Sequence, residues 1–515
     1  MSQNGQDLPH DLCRAAIVPS REPRPRRGVP ESRSGCEGFR IGQRRPVPPS
    51  FLISRVYSYL AYRSRSGLAS SCPRLLFAGL LLALACCSST LFAAGPIATT
   101  ASGLPSAWNN EQPVRYQTDL GDLGNRTKAV ADALVATAFS TWSGNALINL
   151  STSRTGDLSV DITAANIISS GIFDSVADGK TPIIYDTDGS IISLIAGVGS
   201  ENFMLGFAGP VVVAPDGEIS EGRAVLNGFL LNGETDNAVL TVVTHELGHL
   251  LGLAHSQLNQ EFFFDGDGPN DVQIPLMFPI LRNVDDVDAP ITLTKDDVMS
   301  AGFLYRTSGF DNNFGHILGG VADANNDEFS GANVVLRRVG DLGAVTLPFL
   351  GAPGPDTYSW PSGIRSANGT GGAFEFHLLP EGQYVMFVEN INQSFTGGSS
   401  VGPFDPPPTG IVPEFYNGDD ESSDAFTDDP QAFITINVTT GNFIEGLEFR
   451  LQGTSTVQLQ LDDTLSSTIS VVDGALAATQ YQIRTFNATG QVSIELTTEN
   501  GGDLDLFVRR EIGVS

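Results

Sequence analysis

Residues 244–256 read THELGHLLGLAHS, and three of the chain's six histidines, His245, His249 and His255, fall within them. Their spacing constrains the backbone. Leu247, Leu250 and Leu251, with Val239, Leu240 and Val243 upstream, recur at helical spacing and predict a helix with one apolar face. His245 and His249 are four residues apart, so both rings stand on one face, one turn apart, and reach one ion. Glu246 is rotated by one position and reaches a water on such an ion without ligating it. His255 cannot join from the same helix, because six further residues add about 9 Å of rise and a different face. Ligand nitrogens around one zinc lie roughly 3–4 Å apart. The helix must therefore end before His255. Gly252 can end it by taking the left-handed conformation that turns the chain back. Three neutral imidazoles leave a fourth position open for water, the layout of a catalytic zinc.

Composition limits the alternatives. All five cysteines (Cys13, Cys36, Cys72, Cys86 and Cys87) precede residue 88, so any later metal site uses His, Asp, Glu or backbone oxygen. Residues 1–74 hold thirteen Arg, no Lys and five acids; the other 16 basic and 53 acidic residues follow. A body this acidic argues against nucleic acid or anionic membrane as partner. Arg74, the apolar run LLFAGLLLALACC and the small-residue exit SSTLFAAG read as a secretory signal, with cleavage near Ala93–Gly95. The run is too short for a stable membrane span. Leu84–Cys87 fits a lipoprotein box poorly. The Arg/Pro/Ser-rich stretch before the signal suggests a true start further on, near Val56 or Leu60.

The extended pattern His245-Glu246-x-x-His249-x-x-Gly252-x-x-His255 arises by chance on the order of once in a hundred thousand chains of this composition. It resembles the metzincin clan of zinc endopeptidases. Within the clan it looks most like the matrixins: Ser256 follows His255, Met277-Phe278-Pro279 stands in for their methionine turn, and LTKDDVMSAGFLY at 293–305 is similar to their closing helix. Trp108 and KAVADALVATAFSTWS look like the opening strand and first long helix. The resemblance covers about 105–308. It implies an α+β catalytic domain, a twisted and mostly parallel sheet plus long helices. It implies one catalytic Zn2+ held by His245, His249 and His255, with Glu246 as general base. Met277 would form an apolar floor, and Pro279-Ile280-Leu281 would wall a pocket. The family's cysteine switch and second zinc site are not recognisable. His10, His316 and His377 read as surface or strand histidines. Asp186-Thr187-Asp188-Gly189 and Asp265-Gly266-Asp267-Gly268 are oxygen-rich turns able to hold Ca2+.

After Tyr305 short alternating runs and Gly/Pro/Asn/Asp turns predict all-β sandwich domains. Residues 315–452 resemble the carboxypeptidase regulatory-like domain, through Gly319-x-Val321-x-Asp323, Gly331-Ala332 and Leu379-Pro-x-Gly-x-Tyr384. Gly502–Val508 resembles part of the bacterial pre-peptidase C-terminal domain. Asp323, Asn325 and Asp327 mimic a calcium loop, but Glu328 and Val334 occupy its glycine and glutamate positions, so they read as a turn. The expected organisation is leader and signal 1–94, zinc peptidase 95–310, β-sandwich 311–453 and a partial β domain 454–515. The expected function is a secreted, monomeric, zinc-dependent endopeptidase acting on extracellular polypeptides. The alternative is a secreted adhesion or binding protein that uses its β domains and carries an inactive metal scaffold.

Overall fold

The computed structural model describes residues 95–100, 102–173, 178–265, 268–282, 291–339, 356–363, 371–392, 408, 411–423, 428 and 432–451, together with strands at 11–19, 455–459, 479–485 and 504–512. The expected signal segment, 75–94, lies outside them.

Among the described residues the α-helices are α1 (Lys128–Ser143), α2 (Ser190–Ala196), α3 (Gly228–Leu231), α4 (Asp236–Leu250), α5 (Gln260–Asp265), α6 (Lys295–Leu304) and α7 (Phe310–Asn313). Strand β1 is Asp11–Pro19. The strands β2 (Ala107–Trp108), β3 (Val114–Thr118), β4 (Thr152–Asp157), β5 (Pro182–Asp186), β6 (Gly206–Val213) and β7 (Glu218–Asn227) form a six-stranded sheet ordered β2-β7-β5-β3-β4. Its pairs are parallel except for β6, which runs antiparallel along β7. Side chains alternate across the sheet. Ile183 and Tyr185 of β5 join the core beneath α1 and α4, whereas Ile184 joins a second cluster with Ile191 and Ile192 of α2. Phe139, Trp142, Val239, Val243 and Leu247 fill the space between α1 and α4. Both indoles of this core find acceptors on the histidine-bearing helix: Trp142 Nε1 donates to Thr244 O and Trp108 Nε1 to Leu250 O, each at 2.9 Å.

Beyond residue 314, β8 (Gly315–Ala322), β9 (Ala332–Arg338), β10 (Thr357–Pro361), β11 (Ala373–Leu379), β12 (Gly382–Asn390), β13 (Glu414–Phe415), β14 (Ile436–Val438) and β15 (Phe443–Arg450) make two sheets. One is ordered β10-β9-β12-β13 with β14 also on β12; the other is β11-β8-β15. Trp360, Phe374, Phe376, Tyr384, Met386 and Phe449 pack between them as a sandwich core. Strands β16 (Ser455–Leu459), β17 (Thr479–Thr485) and β18 (Leu504–Ile512) form a further sheet ordered β16-β17-β1-β18. Its third member, β1, comes from the segment expected to be leader.

The expected fold class, an α+β metzincin domain with long helices followed by all-β sandwiches, is corrected by this architecture. The sheets are mixed: β6 is antiparallel in a parallel sheet, while β15 pairs parallel with β8 and β16 with β17. Among the described residues only α1 and α4 exceed ten residues. Described residues before and after the start of the sandwich share one compact unit. The physical reason lies in α6, which is buried all round. Its Ala301 packs into the helix–sheet core, and its Met299 and Phe303 pack into the sandwich core.

Candidate metal centre

Helix α4 begins at Thr235, whose hydroxyl accepts from Ala238 N, and runs to Leu250. Gly252 follows with φ +94°, and Leu253 N donates to Gly248 O at 2.9 Å, closing the helix end as the spacing required. A Cβ at Gly252 would lie 2.9 Å from Ser106 O, so the turn needs glycine for space as well as for its dihedral angle. Tyr305, at the end of α6, donates its hydroxyl to Leu251 O and pins the same turn.

This reversal brings the three histidines together. Their Nε2 atoms lie 3.1 Å (His245–His249), 3.0 Å (His249–His255) and 3.2 Å (His245–His255) apart. His245 Nδ1 stands 2.8 Å from Leu276 O, and His249 Nδ1 2.8 Å from Leu253 O. A carbonyl oxygen only accepts, so each of these Nδ1 atoms carries the proton and each Nε2 presents a lone pair to the centre. Burial, then His255 and His245, lowers His249 well below its ordinary value, which keeps that ring neutral. Two such lone pairs and the Nε2 of His255 facing one another at this separation suit a cation, and the spacing fits bonds of about 2.0–2.1 Å to zinc. Among the described residues this is the one cluster of three or more His, Cys, Asp or Glu groups convergent enough to hold a metal ion.

Glu246 sits beside the cluster, buried, with Oε2 lacking any hydrogen-bond partner. Burial pushes its carboxyl up to about 8. Its other oxygen lies against the start of β6, where a Cβ on Gly206 would come within 3.0 Å of Oε1. An unpartnered carboxyl oxygen in such a place is costly to structure and, once ionised, strongly basic.

The turn at Met277 lies directly under α4. A Cβ at Gly248 would be 2.4 Å from Met277 Sδ, so a side chain there would displace the methionine. Asp297 fixes this turn from the first turn of α6: its Oδ2 accepts from Leu276 N at 2.9 Å and its Oδ1 from Met277 N at 3.0 Å. The same carboxylate forms a capping box with Thr294. Its neighbour Asp296 accepts from Ser256 Oγ and from Ser359 N of β10, each at 2.7 Å. Burial raises Asp296 to about 7. The sequence placed both aspartates in the first turn of a helix, where acids complement the helix dipole. Their burial and their hold on the ligand loops escaped it, since an Asp-Asp pair at a helix start carries no signal of what packs over it.

The other candidates fall elsewhere. Ile280 is exposed beyond the methionine turn, and Leu281 packs against the helix–sheet core. Asp186 accepts from Ile191 N and Ile192 N, and Asp188 from Ser190 N, so these oxygens cap α2. The Asp265–Gly268 turn lies partly outside the described residues. His10 also lies outside them. His316 and His377 stand on strands but are buried, with their Nδ1 atoms 3.0 Å apart and His377 Nε2 2.9 Å from Glu375 Oε2. Of the two expected placements, surface or strand, these two take the strand, and α6, α7 and β15 cover that end of the sandwich, stacking Phe303 on His377 and Phe443 on His316.

No family model matches the chain, and no curated protein does. Solved structures that match include BcpA, the major pilin subunit of Bacillus cereus, at 15% identity and TM-score 0.15 over 27% of this chain and 30% of that one. The Bacillus anthracis TIE protein matches at 12% identity and TM-score 0.15, over 38% of this chain and 26% of its own. Catechol 1,2-dioxygenase from Pseudomonas arvilla C-1 matches at 15% identity and TM-score 0.11, over 28% and 53%. The chain thus spans under a third of the pilin and TIE chains. Membership of the matrixin-like metzincins, with a carboxypeptidase regulatory-like and a pre-peptidase C-terminal-like domain, is corrected accordingly. Neither family models nor curated proteins support it or the protease description that came with it. At such TM-scores the matches themselves transfer neither fold nor activity. Among the described residues no helix is long and apolar enough to cross a membrane.

Proposed function

We propose that His245, His249 and His255 hold one zinc ion and that the protein hydrolyses peptide bonds of extracellular polypeptides there, with Glu246 as general base. The observation that carries this reading is the convergence of three Nε2 atoms within 3.2 Å, with two of the rings turned to the centre by carbonyl acceptors. Bound zinc supplies Lewis acidity and lowers the pKa of a coordinated water toward neutrality. Glu246 takes the proton from the attacking water on its free Oε2 and returns it to the leaving nitrogen. A polypeptide substrate is supported by β6. Among the described residues this strand pairs with β7 alone, and its first residue abuts Glu246. An extended peptide added to the open edge would run its backbone past the base.

The test uses the full secreted chain and its Glu246→Ala variant, with zinc counted per chain and casein cleavage followed with and without chelator. About one zinc in both proteins, and chelator-sensitive cleavage in the wild type alone, is the expected result. Well-folded protein without zinc would overturn it.

A second reading is a secreted binding or adhesion protein whose β-sandwich makes the functional contacts. It is favoured by the size of the sandwich, two sheets over one continuous core, and it is in keeping with a surface or extracellular setting. Zinc-loaded wild-type chain that cleaves no protein offered but is retained on an extracellular matrix through residues of the sandwich would favour it.

A further inference from the structure

The loop that carries the third histidine is clasped by the β-sandwich. Ala254, just before His255, belongs to the sandwich core with Trp360 and Phe376. Leu258, three residues after it, packs with Val335, Phe387 and Phe415. Polar contacts close the gap between these two anchors. Ser256 Oγ donates to Asp296 Oδ2, whose other oxygen accepts from Ser359 N at 2.7 Å, and the two serine hydroxyls lie 3.2 Å apart. Gln257 Nε2 donates to Glu389 Oε1 and to Asn390 O, each at 3.1 Å, and Gln257 Oε1 accepts from Asn392 N at 2.8 Å. Residues 254–258 thus draw their partners largely from β9, β10 and β12 and from the residues that follow β12.

A loop outside regular structure pays conformational entropy to stay in place, and a ligand on it is only as well placed as its supports. We propose that the β-sandwich is a working part of the metal centre: Asp296, Ser359 and Gln257 are positioning residues that hold the His255 loop against α4. The proposal rests on the zinc reading for its consequence and on the loop geometry for its cause. On it, the metal centre depends on the sandwich fold, and a partner or strain that loosened β10 would weaken metal binding.

The test compares the full wild-type chain with Ser359→Pro, Gln257→Ala, Asp296→Ala and Asp296→Asn. Ser359 N points away from the β9 ladder to Asp296, so on this edge strand proline spares the ladder and removes that amide donor together with the Ser359 hydroxyl beside Ser256 Oγ. Zinc affinity is read by competition with a chromophoric chelator, and amide hydrogen exchange over 253–260 is read in the zinc-free chain. The expected result is zinc affinity lowered about tenfold or more, as is typical when a ligand's supporting contacts are removed, with faster exchange confined to this loop. Asp296→Asn keeps one acceptor for Ser359 N and gains a donor for Ser256 Oγ, so it should recover much of both. Unchanged affinity and unchanged exchange in folded Ser359→Pro and Gln257→Ala would overturn the proposal. If no protein in the series bound zinc, the proposed function would fall. Exchange in the zinc-free chain would then decide alone whether the sandwich holds the loop: faster exchange would uphold the clasp and unchanged exchange would refute it.

Discussion

Gly248 of α4 and Met277 of the turn beneath it are in such close approach that a Cβ on the glycine would lie 2.4 Å from the methionine sulfur. The contact sits one residue from His249 on the helix, and the carbonyl of Leu276, next to Met277, receives His245 Nδ1. Gly248→Ala gains roughly 1 kcal/mol in helix propensity. It also drives the turn outward, with about 1–3 kcal/mol of overpacking. The expected outcome is a net loss of stability and weaker zinc binding, measured by urea unfolding and chelator competition. A more stable variant with unchanged zinc affinity would show that the turn moves freely.

Glu246→Gln keeps the shape of the side chain and removes its basicity. Zinc content should remain at that of the wild type while peptide hydrolysis falls by about 10²–10⁴-fold. Near-wild-type turnover in a zinc-loaded Gln variant would assign the base elsewhere.

Phe303 stacks on His377 with ring centroids 5.0 Å apart and meets Trp360 edge-on at 5.3 Å. It joins α6 to the sandwich core. Phe303→Ala should destabilise the chain by about 3–5 kcal/mol, as large buried aromatics do on truncation. If the helix–sheet core and the sandwich melt as one unit, a single unfolding transition will move to lower urea. Two separated transitions would instead show that α6 does not couple them.

His316 gives the chain a pH dependence of definite sign. Burial first, then His377, lowers it from its ordinary 6.5 to about 4. The folded chain therefore keeps neutral a ring that the unfolded chain protonates. Its stabilising contribution is complete above about pH 6.5 and is lost as pH falls toward 4. Asp311 raises His316 and Arg306 lowers it, so the effects of these two oppose each other. The buried carboxyl of Asp296, raised to about 7, works in the opposite direction across the same window, so the two slopes overlap in the wild type. Comparing urea midpoints of wild type and His316→Gln at pH 7 and pH 4.5 separates them. The wild type should lose more on acidification; equal losses would exclude His316 as the source.

The histidine helix and its end were legible in the sequence because both are local. A four-residue spacing places two rings on one face, and Gly252 alone among residues 245–255, besides Gly248 inside the helix, could take φ +94° without strain. The N-cap at Thr294 was legible for the same reason. The overall architecture was read less well. The same apolar pattern that marks α6 as a helix does not say that the helix is covered on both sides. His316 and His377 were expected on strands or at the surface, and the rings that bury them come from α6, α7 and β15, distant in sequence.

What the sequence determined by itself is the identity and order of the groups: two histidines and a glutamate on one helical turn, a glycine to end it, and a third histidine beyond. Hydrogen-bond geometry and helical period act over a few residues, so these needed no partner. The tertiary structure decided whether the three nitrogens meet, which tautomer His245 and His249 show, and what holds the third ring in place. Leu276 O turns His245, Asp297 fixes the methionine turn, and Ser359 N reaches Asp296 from 63 residues away. Such contacts depend on how sheets and helices stack, and a spacing pattern carries no record of that.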